Sequence, residues 1–300
     1  MWFTTTDEGV FQYDGQSFKQ YTVNDGFCGY DVWDIMQSSD GSLWFGTSNG
    51  LCHLVDGEFE TTSLPQIEIE TEWMKDVYPM VNPNGVSSVI EDSKGVFWIG
   101  TNGAGAYRFE NGVFTLFLSD KGDKMPDSLY HNVIQSIVED SDGNIWFSSF
   151  SHGGVTAYNG TDFIEYDESD GLGDDMITSS YVDRSGRIWF GTRSGGTSYF
   201  AGGKFETIHE TSGPCQNNMA TVFEDSQGRI WVASYARSGV CLLQSDTLVK
   251  LDIEGSDKLV DIRCIGEDTE GNIWFGGRYG ALWKFDGHRL VDYTYIKIGQ

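Results

Sequence analysis

This 300-residue chain sets only nine arginines against 45 acidic residues, for a net charge of −26. Arginines gathered on one surface would therefore stand out as anion receptors. Arg193 and Arg278 each follow a tryptophan by four residues, and Arg237 follows one by six. Tyr235 and Tyr279 lie beside them, and Arg263 stands a short way before Arg278. A guanidinium offers planar, forked N–H donors that fit a carboxylate, sulfate or phosphate. Tyrosine faces stack on sugars, rings and cations. These six residues read as a ligand-binding set. Asn102 joins them from the same place in an earlier segment. The competing expectation is that each arginine pairs with a neighbouring Asp or Glu. His131, His152 and Tyr235 are the candidates for catalysis, since histidine titrates near neutrality and can act as general base or metal ligand. Glu210, Asp31, Asp7 and Glu8 are weaker acidic partners.

The elements that must carry these residues are legible from a repeat. The motif Asp-x-x-Gly-x-x-Trp occurs at Asp92–Trp98, Asp140–Trp146, Asp183–Trp189, Asp225–Trp231 and Asp268–Trp274. Trp44 follows a weaker copy, and Trp2 opens the chain inside another. The steps between these seven tryptophans are 42, 54, 48, 43, 42 and 43 residues. A period near 43 with several short strands per unit indicates a β-propeller. The unit around Trp98 predicts strands over 86–90, 96–101, 106–110 and 113–118, the last two joined by Asn111-Gly112, a favoured hairpin turn. The strand carrying each Trp alternates in the order Trp, Phe, Gly, Thr. The Trp should pack against the next sheet, and the Gly should let that sheet approach closely. The longest connections, 62–85 and 119–131, should lie on one variable face that carries function.

The expected architecture is all-β: one seven-bladed propeller over 1–300, with four-stranded blades. The blade of Trp2 lacks its own first strand, so it is incomplete or completed from outside the chain. The acidity argues against nucleic acid, which requires a basic footprint, and against contact with anionic membranes. No run of eighteen apolar residues suggests a membrane span. The five cysteines show no metal-ligand spacing, their odd number argues against a full disulfide framework, and Cys52 and Cys241 read as small core residues. The acidic loops 167–175 and 119–127 suggest calcium, but neither has EF-hand spacing. No cofactor is expected, Ca²⁺ or Mg²⁺ being the weak exceptions. Trp73 and Met74 mark the insertion 66–76 as a flap or a docking edge.

The pattern Asn-x-Val-x-x-Ile-x-Glu-Asp-x-x-Gly-x-Ile-Trp-Phe-Gly-Thr, best carried from Asn132 to Trp146 and from Ala220 to Trp231, resembles the two-component regulator propeller repeat. The resemblance implies a sensing module of bacterial signalling proteins. It further implies oligosaccharide or other small-molecule ligands, and kinase or membrane domains in a longer native chain. The fold also resembles streptogramin B lyase-like propellers, but their histidine and glutamate constellation has no counterpart here. The leading expectation is recognition of an anionic oligosaccharide or small anion on the variable face. The alternatives are a lyase or hydrolase using the same face, and a protein-interaction platform. A periplasmic or extracellular location is expected if a signal precedes the chain, and a cytoplasmic one otherwise.

Overall fold

A computed structural model of the protein describes residues 1–65, 82–118, 133–208, 215, 217–235 and 239–294. The fold is an all-β, seven-bladed propeller of antiparallel sheets. The first sheet holds β1 (Trp2–Thr4), β2 (Val10–Tyr13) and β3 (Phe18–Tyr21). The second holds β4 (Val32–Gln37), β5 (Leu43–Thr47), β6 (Gly50–Val55) and β7 (Glu58–Thr62). The third holds β8 (Asn82–Glu91), β9 (Phe97–Asn102), β10 (Ala106–Glu110) and β11 (Val113–Leu118). The fourth holds β12 (Ile134–Glu139), β13 (Ile145–Ser149), β14 (Val155–Tyr158) and β15 (Phe163–Tyr166). The fifth holds β16 (Ile177–Val182), β17 (Ile188–Thr192), β18 (Thr197–Ala201) and β19 (Lys204–Ile208). The sixth holds β20 (Met219–Glu224), β21 (Ile230–Ser234), β22 (Val240–Gln244) and β23 (Thr247–Lys250). The seventh holds β24 (Ile262–Glu267), β25 (Ile273–Gly277), β26 (Leu282–Phe285) and β27 (Leu290–Asp292). Among the described residues the Trp2 sheet thus has three strands, without the first strand present in the other six.

Contacts group the chain into two compact units, Met1–Gly153 with Ala157–Thr161, and Gly154–Thr156 with Asp162–Gln300. The first three sheets belong to the first unit and the last three to the second. Within each unit the second strand's tryptophan packs on the following sheet. Trp44 shares a buried cluster with Val86, Val89 and Ile99, and Trp98 shares one with Ile134, Ile137 and Phe147. In the second unit Trp189 shares a buried cluster with Met219, Val222 and Val232, and Trp231 shares one with Ile262 and Phe275. The glycine two residues on is required by close approach. A Cβ on Gly46 would stand 2.6 Å from the Val86 carbonyl oxygen, and one on Gly100 would stand 2.8 Å from Ile134 Cγ2.

The repeated aspartate has a defined task. A buried indole N–H must find an acceptor. Asp92 Oδ2 accepts from Trp98 Nε1 at 2.8 Å, while Oδ1 accepts the backbone N–H of Lys94 and Val96. One carboxylate thereby closes the turn and anchors the core aromatic. Asp140, Asp183, Asp225 and Asp268 accept from their tryptophans in the same way, at 2.7–2.8 Å. Burial pushes the carboxyls of Asp183, Asp225 and Asp268 up, but their hydrogen bonds outweigh it and hold each below the usual range. The weaker copy departs as its sequence indicates. Ser38 replaces the aspartate, Trp44 Nε1 has no hydrogen-bond partner among the described residues, and the indole stacks on His53 at 3.8 Å.

The glutamate preceding the aspartate ties sheets together. Glu91 accepts from the backbone N–H and hydroxyl of Ser39 at 2.5 and 2.8 Å. Glu139 does the same with Ser93, and Glu267 with Ser226. Glu224 takes the backbone N–H of Arg184 at 2.7 Å.

The cysteines correct the sequence reading. Cys28 is bonded to Cys52, and Cys215 to Cys241, leaving Cys264 free. Cys52 and Cys241 are buried as expected of core residues, but each also pins the segment before its sheet to that sheet's third strand. The pairing was hidden because the partners lie 24 and 26 residues apart, at no motif-like spacing, and meet only once the strands have paired.

Candidate functional site

In the fifth, sixth and seventh sheets, the residue just past the second strand is Arg193, Tyr235 or Arg278. A common backbone scheme holds all three. Arg193 N–H donates to the Met176 carbonyl at 3.0 Å, Tyr235 N–H to Asn218 at 2.8 Å, and Arg278 N–H to Asp261 at 3.2 Å. Asn218 N–H also donates to the Arg193 carbonyl at 2.6 Å, joining Arg193 and Tyr235 through one residue. The equivalence read from the repeat is therefore physical: the same strand end, fixed by the same hydrogen bond, presents a different side chain in each sheet.

The seventh sheet gathers most of the candidates. Arg263 on β24 lies over the Tyr235 ring at 4.7 Å, and Arg278 lies over the Tyr279 ring at 4.8 Å. Between the two guanidiniums sits Asp261, with Oδ1 3.3 Å from Arg263 Nη2 and Oδ2 3.9 Å from Arg278 Nη1. Two cations thus share one carboxylate, which leaves the cluster net positive in a strongly acidic chain. Tyr279 is 89% exposed and holds a left-handed backbone, φ 59° and ψ 33°, uncommon for a bulky residue. Burial pushes the Tyr235 phenol up. The Arg263 charge lowers it, and Asp261 and Cys264 raise it further. The phenol therefore stays protonated at neutral pH, and its ring is the surface on which Arg263 stacks.

Arg193 is exposed, with Nη1 3.8 Å from Met176 Sδ, and is linked to Tyr235 through Asn218. Arg237 and His131 lie outside the described residues, as do Glu210, Trp73 and Met74. The expected His131–His152 pair is therefore not described. His152 itself is exposed just beyond β13, with φ 63°. Asn102 ends β9 in the first unit, in register with Asn82 and bridged to Val133. The arginine–carboxylate pairing weighed from composition holds in part, since Arg263 and Arg278 do pair, but with one shared aspartate.

Two further features of the structure bear on ligands. The acidic loop at 167–175 spends its carboxylates on backbone N–H groups, within the loop and beside it. Asp167 caps a turn through Ser169 N–H, Asp174 accepts from Met176 and Ser194 N–H, and Asp175 accepts from Glu168 N–H. Among the described residues no group of three or more His, Cys, Asp or Glu is placed to hold a metal ion. The acidic loop 119–127 lies outside those residues. Sequence reasoning missed a polar pocket in the first unit, lined by Ser48, Asn49, Ser63, Leu64, Asn82 and Asn84. One of these residues, Ser48, stands just past β5, four residues after Trp44, as Arg193 stands just past β17, four residues after Trp189.

Five segments, 26–49, 81–103, 131–151, 171–194 and 213–236, match the two-component regulator propeller. No curated protein matches the chain by sequence. Among solved structures, virginiamycin B lyase from Staphylococcus aureus is similar at a TM-score of 0.65 and 14% identity, over 87% of this chain and 83% of that one. PorZ, a surface component of the type-IX secretion system of Porphyromonas gingivalis, is similar at a TM-score of 0.65 and 19% identity. That match covers 93% of this chain but only 43% of PorZ, so the chain spans less than half of that relative's length. The extracellular domain of a putative one-component system from B. thetaiotaomicron aligns over 95% of this chain and 44% of its own, at 16% identity and a TM-score of 0.48. At such identities the likeness is one of fold. The matched segments coincide with the first two strands of the second to sixth sheets, and these five segments are similar to two-component regulator propeller repeats.

Proposed function

We propose that this chain is a ligand-recognition module of a sensing protein. On this reading its second unit receives an anionic oligosaccharide or another small oxyanion at the Arg263–Arg278 cluster. The observation that carries the reading is the pair of guanidiniums sharing a single carboxylate, each stacked on a tyrosine. In an acidic chain, such a local excess of positive charge focuses anions onto one place. The repeat family, named for two-component regulators, supports the sensing role. Signalling or membrane-anchoring domains elsewhere in a longer chain belong to the same reading. Two disulfides support an oxidising, exported location. Among the described residues no helix is long and apolar enough to cross a membrane.

The test is thermal stability against acidic and neutral oligosaccharides, small carboxylates and sulfate. A ligand at one hundred times its Kd adds about 2.7 kcal/mol to the folded state, a rise of about 4 °C for a chain of this size. An acidic ligand should raise the melting point, and the Arg193→Ala/Arg263→Ala/Arg278→Ala variant should lose that response. An equal response in the variant, or a response to neutral sugars alone, would overturn the reading.

A further inference from the structure

We infer that Asp261 is a built-in competitor for the anion site. Its carboxylate occupies, in the free protein, the place between Arg263 and Arg278 that a ligand oxyanion takes. The inference rests on the reading of this cluster as an anion site and adds the residue that sets its affinity and selectivity.

The argument begins with how loosely Asp261 is held. Two arginine–aspartate pairs elsewhere in the same unit are tight and structural. Arg187 Nε lies 2.6 Å from Asp183, and Arg229 Nε 2.5 Å from Asp225. Both aspartates are almost fully buried and also accept backbone N–H groups and an indole. Asp261 differs on every count. Its nearest guanidinium contacts are 3.3 and 3.9 Å, and its side chain is one-quarter exposed. Oδ1 is enclosed yet makes no hydrogen bond among the described residues. The arginines are about half exposed, so their donors remain open to an incoming anion. The carboxylate neutralises part of the charge without being locked by it, as a displaceable counter-ion does.

The carboxylate is also dispensable to the fold. Arg278 N–H is held by the Asp261 backbone carbonyl, and the equivalent bonds in the preceding sheets are made by Met176 and Asn218. Asp261 has φ 51° and Asn218 has φ 55°. Asparagine tolerates this left-handed conformation, and the neighbouring repeat already uses it there. Asp261→Asn therefore preserves the backbone and the side-chain shape while removing one negative charge from between the two guanidiniums.

An anion that binds must displace or share with Asp261. Weakly basic or singly bound oxyanions are disfavoured, and ligands able to engage both arginine forks are selected. Removing the competing charge at this partly exposed site should tighten binding about tenfold. The experiment is calorimetric titration of the protein, of Asp261→Asn and of Arg263→Ala/Arg278→Ala. The probes are sodium sulfate and sodium benzoate at fixed ionic strength, with thermal melts confirming that each variant is folded. Tighter binding by Asp261→Asn than by the unaltered protein, abolished in the double arginine variant, is the expected result. Equal or weaker binding by Asp261→Asn, with binding by the unaltered protein intact, overturns the competitor role and leaves the anion site standing. Absence of binding by both the unaltered protein and Asp261→Asn overturns the anion site itself, and the inference with it.

Discussion

Replacing Asp34 with serine should stabilise the protein at neutral pH and not at acidic pH. Asp34 lies half-buried on β4, facing the third sheet. Its carboxyl accepts the Val89 N–H at 2.7 Å and its neighbour Ile35 N–H at 2.8 Å. Burial, the largest influence, pushes this carboxyl up to about 6, although the Val89, Ile35 and Ser88 hydrogen bonds pull it down. The unfolded carboxyl titrates near 3.8. Between these values the native state holds a proton that the unfolded chain has released, so stability falls as pH rises through the window. From pH 4.5 to 7.5 the fall attributable to this one group is about 2 kcal/mol. Serine carries no charge and suits the place. The next sheet has Ser88 at the same step, and its hydroxyl accepts the Ile137 N–H at 3.1 Å. The assay is thermal unfolding of the protein, Asp34→Ser and Asp34→Asn at pH 4.5 and 7.5, followed by tryptophan fluorescence. The variant-minus-parent difference in Tm should grow by about 3 °C at the higher pH. A difference of the same size at both pH values would show that Asp34 is not a buried acid with a raised pKa, and the reasoning would fail.

Two further outcomes test the packing. Each disulfide closes a loop of about 25 residues, for which chain entropy gives about 3.5 kcal/mol. Cys215→Ser/Cys241→Ser should therefore melt about 5 °C lower, and a shift under 1 °C would mean the bridge constrains little. The unsatisfied Trp44 indole invites repair: Ser38→Asp with Asp40→Ser supplies the acceptor found in five other sheets without adding a like charge beside it. Urea unfolding should show a gain of about 1 kcal/mol, and a loss would indicate that stacking on His53 already holds the indole where no aspartate can reach it.

The elements most legible in the sequence are those governed by chain neighbours. The Asp–Gly turn before five of the repeat tryptophans places donor and acceptor within six residues, and hairpins such as Asn111-Gly112 take positive φ at both residues. The strands predicted around Trp98 match β9, β10 and β11 to within a residue. β8 begins at Asn82, earlier than periodicity indicates, because the residues before Val86 add to the sheet edge without an apolar alternation. The repeat also put Arg193, Tyr235 and Arg278 at one equivalent strand end, since a fixed period carries a fixed position from sheet to sheet.

What only the tertiary structure decided are the meetings between sheets, where partners lie tens of residues apart and composition gives no register. The Glu91–Ser39 and Glu267–Ser226 straps, the two disulfides and the burial of Asp34 against Val89 all depend on how one sheet stacks on the next. The same holds for the arginine cluster. Sequence alone offered Arg263 and Arg278 as receptors or as ion-paired surface residues, with nothing to choose between them. The choice depends on the geometry of Asp261, which stands between both guanidiniums and is locked by neither. Local rules in the chain therefore determined the propeller and its strand ends, because turns and pleats act over a few residues. Sheet stacking determined which charges meet and how tightly, because electrostatics depends on distance and burial that only the folded chain possesses.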